Sequence, residues 1–133
     1  ITSSTVDTNR DVLFNGLLYA RSEAIKRGET VSVCKTTDFA VCDATTTWTN
    51  GWIIFSDANG DGAVDTGDTL MRVEEALSNN ISVTFSGGNF VTFDGLGKAV
   101  STSGSFSFSH SSGDADYDRT VAFSTTGRVR KSL

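Results

Sequence analysis

The 133 residues make one domain's worth of chain, long enough to enclose a real core. With 38% hydrophobic and 10% aromatic residues and no proline, the composition excludes a disordered tail and a polyproline linker. A formal net charge of -5 excludes indiscriminate attraction to nucleic acid, so any polyanion site has to be a local cationic patch. No apolar run is long enough to span a bilayer. The chain starts at Ile1, without Met or a signal-peptide pattern, and reads as a piece of a longer protein.

The first element is a helix over residues 6–27. Val6, Leu13, Leu17, Ala20, Ala24 and Ile25, with Phe14 and Leu18 beside them, recur at steps of three and four with one longer gap. That period makes one apolar stripe. Arg10, Asp11, Asn15, Ser22, Lys26 and Arg27 fall mostly off it. Glu23 and Arg27 form an i,i+4 pair in the favourable orientation, and Lys26 and Arg27 suit the C-terminal end of the helix dipole. Gly28 then supplies the left-handed residue that ends a helix.

Strand signals follow. Residues 30–35 alternate, Val31 and Val33 against Ser32 and Cys34. Cys34 and Cys42 lie close together, and in an oxidising compartment a disulfide is favoured over free thiols. Trp52-Ile53-Ile54-Phe55 is a continuous apolar run, as in a strand covered on both faces. An acidic, turn-rich loop occupies 56–68. Residues 69–74 alternate again, with a helical turn over 70–77 as the alternative. Ile81, Val83 and Phe85 share one face, and Gly87-Gly88-Asn89 predicts a hairpin into 90–93. Asp94-Gly95 with Gly97 is a further turn. Phe106 and Phe108 alternate with serines, residues 111–118 form a polar loop, and Val121 and Phe123 share a face. Thr126-Gly127 turns the chain into a last segment, 128–133. The sum is one helix and roughly seven short, mostly antiparallel strands, an α+β domain whose helix covers a sheet and whose strands can split into two layers.

Two stretches carry candidate chemistry. The run Asp57-Ala58-Asn59-Gly60-Asp61-Gly62-Ala63-Val64-Asp65-Thr66-Gly67-Asp68 has the spacing of a calcium loop. Its ligands would be Asp57, Asn59, Asp61, the Ala63 carbonyl, Asp65 and Asp68, with Gly62 at the sharp turn. Asp at the last position and a preceding strand depart from that pattern, so an acidic surface turn stands beside it. The second stretch is Gly127-Arg128-Val129-Arg130-Lys131. In a strand Arg128 and Arg130 point to one side, spaced to meet phosphates or carboxylates, and Arg119 joins if its strand pairs nearby. On composition alone a solubilising edge is the simpler account. Catalysis has little support: His110 sits among serines without a recognisable motif, Asp114, Asp116 and Asp118 read as a solvated loop, and Trp48 and Trp52 read as core.

Several of these residues together resemble one family. The helix end Leu18-Tyr19-Ala20-Arg21-Ser22-Glu23-Ala24-Ile25-Lys26-Arg27-Gly28, the Val31-Ser32-Val33-Cys34 strand, the Gly51-Trp52-Ile53-Ile54-Phe55-Ser56-Asp57 strand with its Asn-Gly-Asp-Gly turn, and the closing Gly127-Arg128-Val129-Arg130 look like the FimT/FimU/GspH group. These are minor pilins of type IV pili and minor pseudopilins of type II secretion. The resemblance implies a pilin-like α+β globular domain over 1–133, residues 1–28 being the C-terminal half of a longer helix and 29–133 the β-rich part. It implies an inner-membrane anchor upstream of Ile1, a periplasmic domain, and no catalytic activity. It also implies assembly with other minor and major pilins or pseudopilins in a tip or priming complex. Arg10, Arg21 and Lys26 on the polar helix face would then meet other subunits. In FimT-like competence pilins a C-terminal Gly-Arg-x-Arg motif binds double-stranded DNA, and Gly127, Arg128 and Arg130, with Lys131 adjacent, match it.

Overall fold

In the computed structural model, residues 2–43, 45–57, 64, 68–74, 81–86, 90–100, 104–113 and 118–132 are described. Helix α1 (Thr2–Arg27) buries Val6, Leu13, Leu17, Ala20 and Ala24 completely. Its end is a Schellman cap: Gly28 has φ +65°, its N–H donates to the Ile25 carbonyl at 3.3 Å, and the Glu29 N–H donates to Ala24 at 3.2 Å. The buried stripe is narrower than the sequence suggests. Leu18 and Ile25 are 39% and 47% exposed and lie on the outward side.

Among the described residues, eight strands form two four-stranded antiparallel sheets. The first has the order β3 (Leu70–Glu74), β2 (Trp52–Ser56), β1 (Val31–Lys35), β5 (Phe90–Phe93). The second has the order β4 (Ile81–Phe85), β6 (Gly104–His110), β7 (Arg119–Phe123), β8 (Val129–Ser132). The expected hairpin does not form between β4 and β5, whose connecting residues 87–89 lie outside the described residues. β4 pairs with β6 and β5 pairs with β1, so the chain changes sheets there. The cause is the face pattern: β4 alternates buried and exposed, whereas Val91, Thr92 and Phe93 are all buried and suit the strand beside β1.

The main core lies where α1 meets the inner faces of both sheets. It joins the helix stripe to Val31, Val33, Trp52 and Ile54 of the first sheet and to Phe106, Phe108, Val121 and Phe123 of the second. Trp48, from a short 3-10 turn (Trp48–Asn50), closes this core edge-on to Phe106 at 4.9 Å. The first sheet is covered on its other face too. There Cys34, Ile53 and Phe55 pack with Phe39, Cys42, Val64 and Phe90 in a second small core. This is why β2 is buried throughout and β1 is buried from Val31 to Cys34, Ser32 included. The Cys34–Cys42 disulfide is formed and fastens the 36–43 loop over that second core. The outer face of the second sheet carries short hydroxyl side chains, among them Ser82, Thr84, Ser107 and Ser109.

Candidate functional site

The C-terminal Gly-Arg-x-Arg stretch begins at the β7–β8 turn. There the Gly127 N–H donates to Ser124 at 2.9 Å and the Ser124 N–H donates to Arg128 at 3.0 Å. Gly127 has φ +87°, and a Cβ on it would run into the Gly97 carbonyl. That same carbonyl accepts a 2.8 Å hydrogen bond from Arg21 Nε of α1. The Ala99 N–H donates to Thr125 at 3.2 Å. Gly127 therefore permits a contact of bare backbones that ties the turn to the loop after β5 and, through Arg21, to the helix.

The turn presents Arg128 and Arg130, both exposed. Arg130 lies opposite Ala122, beside a shallow depression of about 420 Å³ lined by Ser86, Gly104, Ser105 and Ser124. Among the described residues neither arginine forms an ion pair. Lys131 does not join them. It points to the opposite face, 3.1 Å from Asp11 and 5.0 Å from the centre of the Phe14 ring. Nor does Arg119, which is buried against the helix with Nε 2.6 Å from Asp7.

Lys131 and Arg119 belong instead to a charge ladder that pins α1 to the second sheet. It runs Arg119, Asp7, Arg10, Asp11, Lys131, with Arg10 3.6 Å from Asp7 and 3.1 Å from Asp11. Burial pushes the Asp11 carboxyl up, but hydrogen bonds and charge from Lys131 and Arg10 outweigh it and hold the group below the ordinary carboxylate range. The polar helix face is corrected accordingly. Arg10 is buried in the ladder and Arg21 serves the Gly97 carbonyl, so of the three cations expected to meet other subunits only Lys26 is fully turned out. The outward stripe is Thr8, Asn15, Leu18, Ser22 and Ile25.

Of the calcium-loop residues, Asn59, Asp61, Ala63 and Asp65 lie outside the described residues. Asp57 is fully buried and accepts a 2.7 Å hydrogen bond from Ser32 Oγ. Ser32 Oγ is also 2.7 Å from Thr92 Oγ1. Because the Ser32 proton goes to the carboxylate, Thr92 must donate to Ser32, giving an ordered chain across β5, β1 and the end of β2. Sequence reasoning missed Ser32 and Thr92, since two hydroxyls in different strands carry no local signal. Among the described residues, no three His, Cys, Asp or Glu side chains gather as a metal ion requires. His110 Nδ1 accepts the Ser112 N–H at 3.0 Å, which serves the turn after β6. Among the described residues no helix is long and apolar enough to cross a membrane.

The family model described as Type II transport protein GspH matches residues 10–127. The fold is similar to that of the type IV minor pilin FimU from Pseudomonas aeruginosa, with a TM-score of 0.77 at 21% identity, covering 96% of this chain and 88% of that one. It is also similar to the minor pseudopilin EpsH from the type 2 secretion system of Vibrio cholerae, with a TM-score of 0.69 at 16% identity over 97% of both chains. No curated protein matches at a significant level.

Proposed function

The chain belongs to the GspH family, and from that premise we propose that it is a minor pilin that takes part in type IV pilus assembly, in the tip or priming complex. The observation that carries this reading is the outward side of α1. Leu18 and Ile25 are exposed there with Ser22 between them and Asn15 a turn before, while Arg10 and Arg21 of the same helix are engaged within the chain. A helix that meets only water usually shows it a charged face. This face suits packing against another subunit. In this role the domain lies in the periplasm, held by an inner-membrane anchor before assembly, and performs no turnover.

Deleting the gene tests the reading. Surface pili should fall and return with the wild-type chain. Loss of secretion with normal pili would instead make the chain a minor pseudopilin.

A second reading is supported by Arg128 and Arg130, both exposed and without ion-pair partners among the described residues. It is capture of double-stranded DNA. A gel shift at low salt comparing wild type with Arg128→Gln/Arg130→Gln decides it. Loss of two phosphate contacts should lower the slope of log K against log salt by about two. Equal binding by both proteins, or none by either, removes this reading.

A further inference from the structure

The depression of about 420 Å³ beside Arg130 lies where β4, β6, β7 and β8 come to one end of the second sheet. Its volume falls in the range of about 300–1,000 Å³ that holds small organic ligands. Ser86, Ser105, Ser124 and Arg130 supply its polar lining, and Gly104, Ala122 and Phe123 the rest. Arg128 does not line it, so the site is not the arginine pair itself. Small residues keep it open. Ala122 stands between Ser105 and Arg130 in one cross-strand row, so a single methyl group separates the two polar side chains. A Cβ on Gly104 would meet Phe85 Cε1 at 2.8 Å, so no side chain fits at that position.

The rim is held in shape by the chain's own hydrogen bonds. The Ser105 N–H donates to Ser86 Oγ at 3.0 Å, and the Ser86 N–H donates to the Ser105 carbonyl at 3.1 Å. Ser86 Oγ thus accepts from within the chain and keeps its own proton to donate outward. Ser124 Oγ lies 2.7 Å from Thr126 Oγ1. Arg130 is exposed and has no ion pair among the described residues. A rim already in place loses little freedom when a ligand docks.

A planar guanidinium takes an acid group through two parallel hydrogen bonds. Serine hydroxyls, each donor and acceptor, suit a ligand with hydroxyls of its own. Together they fit a hydroxylated ring that carries one acid group. The outer face of the sheet continues the same chemistry. Thr84, Ser107 and Thr120 form one cross-strand row there, and Ser82 lies opposite Ser109. Such rows space hydroxyls by about 4.8 Å across strands and about 7 Å along them. Hydroxyls neutralise no phosphate, and a net charge of -5 opposes a polyphosphate. A sugar acid asks for one cation and several hydroxyls. We propose that the depression binds a uronic acid residue, its carboxylate on Arg130 and its ring hydroxyls on Ser86, Ser105 and Ser124. In a polysaccharide the next residues would lie over the row of Thr84, Ser107 and Thr120. The proposal is independent of whether the chain joins a pilus or a secretion system.

Amide NMR titration of the chain with a galacturonate hexamer tests it. The Ser105, Ala122 and Ser124 amides should shift at millimolar hexamer and stay in place with a glucose hexamer, which lacks the acid group. Arg130→Gln should raise Kd by at least about tenfold, through loss of a charge-assisted pair. Ala122→Met fills the space between Ser105 and Arg130 and should raise Kd by a similar factor, with a melting temperature close to wild type. If Ala122→Met fails to fold, Arg130→Gln at its exposed position still decides. Lys98→Gln removes an exposed cation elsewhere and should change Kd by less than about twofold, since screening weakens a distant charge. Galacturonate monomer separates two sources of the ligand, and either source upholds the site. A hexamer that binds more tightly, residue for residue, assigns a polysaccharide, and equal affinity assigns a free sugar acid. Absence of shifts with the hexamer, equal binding of the glucose hexamer, or unchanged affinity in Arg130→Gln or in folded Ala122→Met would each overturn the proposal. So would a DNA duplex that shifts these amides where the hexamer does not.

Discussion

Gly127 and Gly16 are the same residue in opposite circumstances. Gly127 is held at φ +87° with the Gly97 carbonyl where a Cβ would go. Gly127→Ala should destabilise the domain by about 2 kcal/mol or more from backbone strain and the clash together, read as a lower urea midpoint. Gly16 lies inside α1, where a Cβ would sit 3.6 Å from Trp52 Nε1, an ordinary contact. Gly16→Ala should therefore stabilise by about 0.5–1 kcal/mol through helix propensity. Asp11 gives a pH prediction. Its carboxyl is held low in the folded chain, so the unfolded chain takes up the proton first. The contribution of Asp11 is complete above the ordinary carboxylate value of about 4 and is lost as pH falls through the lower folded value. Acid melts of Asp11→Asn should show a shallower loss of stability over that window than wild type. The expectation that Arg128 and Arg130 share one side rests on strand alternation, which is local; both are exposed. The sequence could not show that Arg119 and Lys131 turn to Asp7 and Asp11, since those partners lie more than a hundred residues away in the chain.

At the scale of elements, α1 and most strand positions were legible because period is written into neighbouring residues. Pairing was not. Gly87-Gly88-Asn89 has hairpin chemistry, yet β4 and β5 join different sheets, because each strand goes where both of its faces can be satisfied. The two cysteines announced a disulfide, but not the second core that it secures over Ile53 and Phe55. Replacing both by serine should cost about 2–3 kcal/mol for a loop this short. It should also raise binding of a hydrophobic dye, as Phe39 loosens from Ile53 and Phe55. If the double variant melts like wild type, the loop is held by its hydrogen bonds and Phe39 alone. The helix stripe is the stronger support: Leu17→Ala should cost about 2–5 kcal/mol, since Leu17 is fully buried between both sheets and the cavity cannot be filled from solvent.

At the scale of the molecule, one helix serves two sheets and keeps an outward side on which Leu18 and Ile25 are exposed. Its buried stripe and charge ladder use up most of the side chains that could bind it elsewhere. What remains exposed is aliphatic and neutral along the helix, cationic at Lys26, and cationic again at Arg128 and Arg130. The GspH family assignment and the exposed α1 face together make the central claim, that the chain is built to be a subunit. Its most direct test is a strain lacking the gene, scored for surface pili and for protein secretion beside the same strain carrying the wild-type chain. Pili should be lost without the gene and restored with it. Normal pili together with normal secretion in the deletion strain would contradict it.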